Sequence, residues 1–450
     1  MTPPAAAKFD ADVIVIGGGV AGLAAARRLV ESSPAPRVLL LEGRDRLGGR
    51  ILTHRTVDHP LPIDLGPEFI HGRPPETFGL LAESGLIAVD IPFHHYDASE
   101  TPPSEDDGPW DAAEELLSKM TVPENGDESF DDFLRRHPET PAEVARRARA
   151  YVEGFNAAEA GRISVQSILE SNAEEDAQDG ERQHRLIGGY DQLIAALAAA
   201  VTRAGRIECG VVVRRVAWQA GRVEVTAETA AGLRTYRARQ AVVALPLGVL
   251  QQPADAPTGV RFEPDVPTRS LIQDKLVMGD VRKFTLRCRS PFWEVWADRD
   301  VSFLHKLDAP IPVWWTKIPM RTPLLVGWAG GSNAKSLAGD AASLRRAAVE
   351  SLAMIFDKPS ATIDAEILGL YAHDWQADPF ARGAYSYVAV GGADAPDRLA
   401  EPIAGTLFFA GEHTHRGLIG TVAGAIRTGY RAAAAAIAVN SWSLRSARPE

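Results

Sequence analysis

The sequence predicts an α/β protein in which a Rossmann-like domain with a parallel sheet carries an inserted α+β domain. Three observations predict it. The first 41 residues read strand, glycine-rich turn, helix, strand. The same buried-strand texture returns near residues 241–245 and 406–410. Between these stretches, after Pro74, the pattern changes to helices and amphipathic strands.

Taken in order, residues 12–16 are apolar and β-branched, 20–29 suit a helix and 37–41 are apolar again. Strands without alternation expect cover on both faces, which points to a parallel sheet. Helical patterns follow over 76–85 and 130–160, separated by the acidic stretch 97–108, read as a surface loop. Gly188 and Gly189 precede a helix over 190–203, and 211–216 and 222–226 alternate around the turn Gln219-Ala220-Gly221 as a hairpin. Another buried strand covers 241–245. From about 269 to 371 come amphipathic strands such as 281–288 and a helix over 341–356. Strand 406–410 and helix 421–439 close the chain. The expected division is 1–75, 185–255 and 395–450 for the nucleotide-binding domain, with 76–184 and 256–394 for the inserted substrate-binding domain.

Composition narrows the function classes. At 450 residues, 45% hydrophobic and 24% charged, the chain is long enough for two or three domains. With 48 Lys and Arg against 59 Asp and Glu the net charge is -11, and no basic run tracks a phosphate backbone, so nucleic acid is not an expected partner. Two cysteines, Cys209 and Cys288, fit a reducing compartment. The start lacks a secretory pattern and no stretch reaches 18 apolar residues; a cytoplasmic protein without a membrane anchor is expected. His94 and His95 diverge on a strand and no H-E-x-x-H spacing occurs, so no metal site is expected. No G-x-S-x-G elbow occurs, and the Ser-rich C-terminus reads as a frayed tail.

Gly17-Gly18-Gly19-Val20-Ala21-Gly22 matches GxGxxG through Gly17, Gly19 and Gly22. The first glycine makes the tight turn, the second admits a pyrophosphate to the backbone, and the third lets helix and strand pack closely. The helix N-terminus, with Val20 and Ala21, offers free N–H groups and a positive dipole end. Glu42, 20 residues beyond Gly22 at the end of the next strand, suits the ribose hydroxyls. Together these predict dinucleotide binding. In the continuation Glu42-Gly43-Arg44-Asp45-Arg46-Leu47-Gly48-Gly49-Arg50, the glycines allow close backbone approach and Arg44 and Arg50 can meet phosphate oxygens.

This continuation resembles the E-x-R-x-R-x-G-G-R segment of the flavin-dependent amine oxidase superfamily. The resemblance covers nearly the whole chain. Leu65-Gly66-Pro67-Glu68-Phe69-Ile70-His71-Gly72 is similar to the segment beside the flavin, in the His-Gly form of polyamine oxidases, and Val213 matches the position whose backbone meets adenine. Trp375 to Tyr387 is similar to the corresponding stretch of spermine oxidases and lysine-specific histone demethylases. Gly411-Glu412-His413-Thr414, followed by Gly420-Thr421-Val422, resembles the C-terminal flavin-binding motif, whose helix would aim N–H groups at flavin N1 and the C2 carbonyl.

What the resemblance implies is an FAD-binding domain of the GR2 type and oxidation of an amine to an imine, with O2 taking the electrons as H2O2. FAD is expected without a covalent bond, because Ala384 stands where tethering monoamine oxidases carry cysteine. Tyr385 would form an aromatic wall, with Trp375 behind it. Lys283 would hold a water against flavin N5, although pattern alone places it with Val281 and Thr285 on the solvated face of a half-buried strand. Thr421 stands where monoamine oxidases place a second tyrosine, which opens the pocket toward long amines. His71 and Glu68 would line its approach, with Glu68 as the acceptor for a distal ammonium. Polyamines are the first expected substrate class and monoamines the second. Amino-acid oxidation is third, since no arginine for a carboxylate stands in residues 66–72. A flavin-bound protein without oxidase chemistry and a nicotinamide dehydrogenase are the rivals from other classes.

Overall fold

A computed structural model describes residues 9–439 apart from 58, 93, 100–106, 125, 296–300 and 338–339. Five parallel strands form the central sheet in the order Leu407–Phe409, Gln240–Val243, Val13–Ile16, Val38–Leu41, Arg206–Glu208. It therefore draws on the beginning, the middle and the end of the chain. Every residue of Val13–Ile16, Val38–Leu41 and Gln240–Val243 is buried, which explains their unbroken apolar runs.

The two faces have different cover. Val13, Val15, Val38, Leu40 and Phe408 pack against the helices Val20–Val30, Asp191–Ala204 and Val422–Val439. Ile14, Ile16, Leu39 and Leu41 share a core with a second sheet, ordered Gly232–Ala238, Arg222–Thr229, Val212–Gln219, Arg261–Glu263. The hairpin turn at 219–221 falls where the alternation placed it. Arg261–Glu263, within the stretch assigned to the inserted domain, joins this sheet parallel to Val212–Gln219.

A six-stranded sheet lies on the other side of the molecule's cavity, ordered Ile367–Ala372, Val281–Cys288, Leu324–Gly330, Val313–Thr316, Phe303–His305, His95–Asp97. Phe284, Leu286 and Cys288 face helix Ala341–Phe356 in one apolar core. The opposite face of Val281–Cys288 is not solvated: Val281, Lys283 and Thr285 are buried too. The half-buried reading of this strand is thus corrected, because its second face turns inward onto the cavity.

The helical pattern over 130–160 resolves into Phe130–Arg136 and Ala142–Asn156, with Val165–Asp176 following. The break lies at His137, which precedes Pro138 and leaves the helical region at φ -118, ψ 59, as the proline ring requires. Ser129 and Ser164 cap their helices by accepting hydrogen bonds from Asp132 N and Ser167 N. The expected loop over 97–108 is shorter than read: Asp97 ends a strand, Asp107 begins helix Asp107–Ser118, and 100–106 lie outside the described residues. The C-terminal tail, 440–450, also lies outside them.

Candidate functional site

A cavity of about 850 Å³ runs between the parallel sheet and the six-stranded sheet. The candidate catalytic and cofactor-binding residues Gly17, Gly19, Glu42, Glu68, His71, Lys283, Tyr385 and Thr421 all line it, whereas Gly22 does not.

At the end nearest the parallel sheet, the wall is made of backbone. Gly17 has φ +107, and a Cβ there would sit 2.6 Å from Ala244 O. A Cβ on Gly22 would fall 1.9 Å from Gly17 O, so this glycine lets the helix settle on its own turn and need not touch a ligand. Gly19, at the N-cap of Val20–Val30, is the opposite case: a Cβ there would meet nothing within 4 Å. No side chain caps this helix and its first turn holds no acid. The free N–H groups therefore open onto space of the kind a pyrophosphate fills. Glu42, 6% exposed, accepts from Gly18 N (2.6 Å) and Arg44 N (2.8 Å), leaving lone pairs for ribose hydroxyls. Val213 stands beside it on the first strand of the hairpin.

Arg44 and Arg50 line the cavity but have protein partners. Both Arg44 Nη atoms lie 2.9 Å from Asp378 oxygens, with the guanidinium over the Phe380 ring. Asp378 also accepts from His373 Nε2 at 2.7 Å. Arg44 thus reaches the cavity wall already held by a buried ion pair. Arg50 Nη1 donates to Ala384 O and Glu412 Oε1, each at 2.9 Å. Burial works to raise the Glu412 pKa, yet the Arg50 charge and the Ser386 hydroxyl hold it below the usual carboxylate value. Glu412 also accepts from Gly420 N at 3.0 Å, which fixes the turn entering the last helix.

Thr421 has a role that the sequence reading did not give it. Its hydroxyl donates to Leu418 O (2.8 Å) and accepts from Gly424 N (2.9 Å), so it caps helix Val422–Val439 and does not merely vacate an aromatic position. The helix begins one residue later than read, and its first residues, Val422 and Ala423, face the cavity. That N-terminus suits the electron-rich edge of a flavin. Gly49, Gly66, Pro67 and Gly411 border the space between the two helix ends. Trp375 Nε1 donates to Leu65 O at 3.0 Å, tying down the segment that holds Gly66 and Pro67.

The far chamber is aromatic. Tyr385 donates its hydroxyl to Phe155 O at 2.6 Å and lies 6.5 Å from Trp328 at an interplanar angle of 20°. Trp328, Trp315, Phe69 and Phe303 continue the wall, with ring centroids 5.4 to 6.1 Å apart. His71 meets Phe155 edge-on at 5.7 Å. Burial pushes the His71 pKa down to about 4, so it is neutral at pH 7, and its Nδ1 has no hydrogen-bond partner among the described residues. Sequence reading missed Phe155, Phe303, Trp315 and Trp328. The available signal was weak: Trp328 and Val326 share a strand face, and only pairing shows that Trp328 stands opposite Lys283.

Beside this chamber, Glu68 sits among three cations. Lys317 Nζ lies 2.6 Å away, Lys283 Nζ 2.9 Å and Arg185 Nη2 3.2 Å, all with side chains under 5% exposed. Lys283 also donates to Asp64 O (2.8 Å) and Gly66 O (2.9 Å). Burial would raise the Glu68 pKa, but the charges of Lys283, Lys317 and Arg185 outweigh it and hold the carboxyl well below the usual range. Glu68 therefore cannot be the acceptor for a distal ammonium, since a fourth cation there would be repelled. On the cavity wall, Glu175 has no cation among the described residues within ion-pair distance, and burial, then Asp176, pushes its pKa up to about 7.

Among the described residues no group of three His, Cys, Asp or Glu could hold a metal, and no helix is long and apolar enough to cross a membrane. Comparison with protein families matches residues 20–437 to the family described as flavin containing amine oxidoreductase. Lysine-specific histone demethylase 1 homolog 2 of Oryza sativa subsp. japonica is 28% identical over 99% of this chain and 59% of its own length. Polyamine oxidase 2 of Arabidopsis thaliana is 29% identical over 94% of this chain and 87% of its own. The chain thus spans about three-fifths of the demethylase homologue. Among solved structures, putrescine oxidase bound to putrescine superposes with a TM-score of 0.78 at 21% identity, covering 95% of this chain and 99% of that one. Cyclohexylamine oxidase from Brevibacterium oxydans IH-35A gives 0.77 at 24% identity, covering 97% and 100%. These two likenesses speak for the fold.

Proposed function

The chain belongs to the family of flavin-containing amine oxidoreductases, and from that premise we propose that it oxidises an amine, a polyamine in the first instance, to an imine with non-covalently held FAD. The observation that carries the reading is one continuous cavity joining an uncapped helix N-terminus at Gly19 to an aromatic chamber beside Lys283. Bound FAD would supply the two-electron acceptor. Val20 and Ala21 would hold its pyrophosphate, Glu42 its ribose, Val213 its adenine, and Val422 with Thr421 the far edge of its ring system.

The protein's part in the chemistry is orientation and exclusion of water. Tyr385, Trp328 and Trp315 make an apolar chamber in which a charged amine is disfavoured, so the neutral amine with its lone pair is the bound form. Neutral His71 adds no repulsion. Two electrons leave the amine with its α hydrogen, water hydrolyses the imine, and O2 takes up two electrons and two protons as H2O2. Lys283 is read as the group that positions water at the reacting edge. No cysteine lines the cavity, and Cys288 is buried in the core behind the six-stranded sheet, with burial pushing its pKa up to about 12, which supports FAD held without a covalent bond. Glu175 takes over from Glu68 as the acceptor for a distal ammonium.

The test is peroxide production by the FAD-loaded protein with a panel of amines. Spermidine and spermine should exceed benzylamine and tyramine in kcat/KM. Equal or better turnover of the simple amines would favour the monoamine reading, for which the fully paired Glu68 is the one specific observation.

A further inference from the structure

We propose that Glu68 is the positioning residue of Lys283, holding its ammonium at the cavity wall through a buried ion network that Lys317 and Arg185 close. The inference rests on the reading of Lys283 given above and extends it to residues that touch no substrate.

The two oxygens of Glu68 have separate duties. Oε1 takes Lys317 Nζ at 2.6 Å, Arg185 Nη2 at 3.2 Å and Trp315 Nε1 at 3.3 Å. Oε2 faces Lys283 Nζ at 2.9 Å and has no aligned hydrogen bond of its own among the described residues. An ammonium has three donors. Two of those of Lys283 go to Asp64 O and Gly66 O, while the unaligned ion pair with Glu68 Oε2 holds the ammonium in place and leaves the third donor without a protein acceptor among the described residues. Arg185 is itself anchored by donation to Ile318 O and Thr316 O, and Lys317 follows the strand Val313–Thr316 directly. Glu68 is thus pulled away from the cavity on one oxygen and toward Lys283 on the other.

Three cations around one carboxylate leave the network over-positive, and burial sharpens the imbalance. Lys317 relieves it. Burial, then the charges of Arg185 and Lys283, bring its pKa down to about 8. The charged groups facing it are Glu68, Arg185, Lys283 and Asp64, and in the shallow dimple beyond it Glu294 and Arg321, which pair at 3.3 Å. As pH rises through about 8, Lys317 releases its proton and Glu68 turns more fully to Lys283.

Three variants test this in FAD-loaded protein whose flavin is reduced by light, so that no amine is needed, with reoxidation by O2 followed against pH. Lys283→Met should slow reoxidation at least tenfold. Glu68→Gln alone strands three buried cations, so the informative variant is Glu68→Gln/Lys317→Met, which keeps the native net charge and leaves Arg185 and Lys283 on their carbonyl acceptors. It should unfold at a temperature near that of the native protein yet reoxidise at least fivefold more slowly. Lys317→Met should lose the step near pH 8 that the native protein shows. A double variant with native stability and native reoxidation would overturn the proposal, and so would a Lys317→Met profile that keeps the step. Native reoxidation by Lys283→Met would bring down the reading of Lys283 and this proposal with it, a result distinct from the first. A readout free of flavin is the thermal midpoint of the apoprotein. The folded pKa of Lys317 lies below its ordinary value, so the unfolded chain binds more protons between about pH 8 and 10.5 and stability should rise with pH there, relative to Lys317→Met. A difference between the two proteins that falls or stays flat in that window contradicts the assignment.

Discussion

The two ends of the cavity are built by opposite means. Around Gly17, Gly19 and Gly22 the site consists of side chains left out, which lets the helix settle on its turn and leaves its N-terminal N–H groups open to the cavity. Around Glu68 it consists of charges brought in, three buried cations gathered on one carboxylate before any substrate arrives. The first arrangement is local in sequence and cheap to fold. The second is costly to desolvate and is upset when a single charge is removed without its partner.

Substitutions can break this contrast, and the largest effect belongs to the charged end. Glu68→Gln should destabilise the apoprotein by about 3–5 kcal/mol, because it leaves buried cations without their counter-charge. Chemical denaturation of the flavin-free protein measures this, and a loss below about 1 kcal/mol would mean that water reaches the network. At the glycine end, Gly22→Ala should cost about 1–3 kcal/mol by overpacking against Gly17 O, read in the same denaturation curves. Gly19→Ala separates ligand from fold: its Cβ meets no protein atom, so the unfolding midpoint should stay native while flavin affinity falls roughly tenfold, about 1.4 kcal/mol. Flavin titration by fluorescence quenching decides it, and unchanged affinity would move the pyrophosphate away from this helix end. The smallest effect concerns Glu175. Its raised pKa makes it neutral below about 7 and charged above, so KM for a diamine should fall as pH rises through that value and flatten in Glu175→Gln. A monoamine should show no such difference between the two proteins.

The same contrast explains what could be read in advance. The glycine turn, Glu42 and the helix after Thr421 are short-range patterns in which each residue's role follows from its neighbours; the strand Val13–Ile16 announced itself by an unbroken apolar run, and the strand Val281–Cys288 and the helix Ala341–Phe356 by periodicity. The ion network did not, since Glu68 and Lys317 lie 249 residues apart and meet only through tertiary packing. Lys283 shows the limit most clearly. Alternation assigned it correctly to the face of Val281 and Thr285, but whether that face meets water or a cavity depends on the opposing residues of another layer. The ion pair of Arg44 was hidden for a related reason, because its partner Asp378 comes from a distant loop. Thr421 was legible as a helix cap, being a threonine directly before a periodic run, and was instead weighed as a missing aromatic and as part of the flavin-binding motif.

Anaerobic mixing of the FAD-loaded protein with spermidine tests the central claim most directly. Bleaching of the yellow flavin without oxygen, followed by return of the colour and formation of H2O2 when air is admitted, is the predicted result. A flavin that stays oxidised with spermidine and with every simple amine tried would contradict the account.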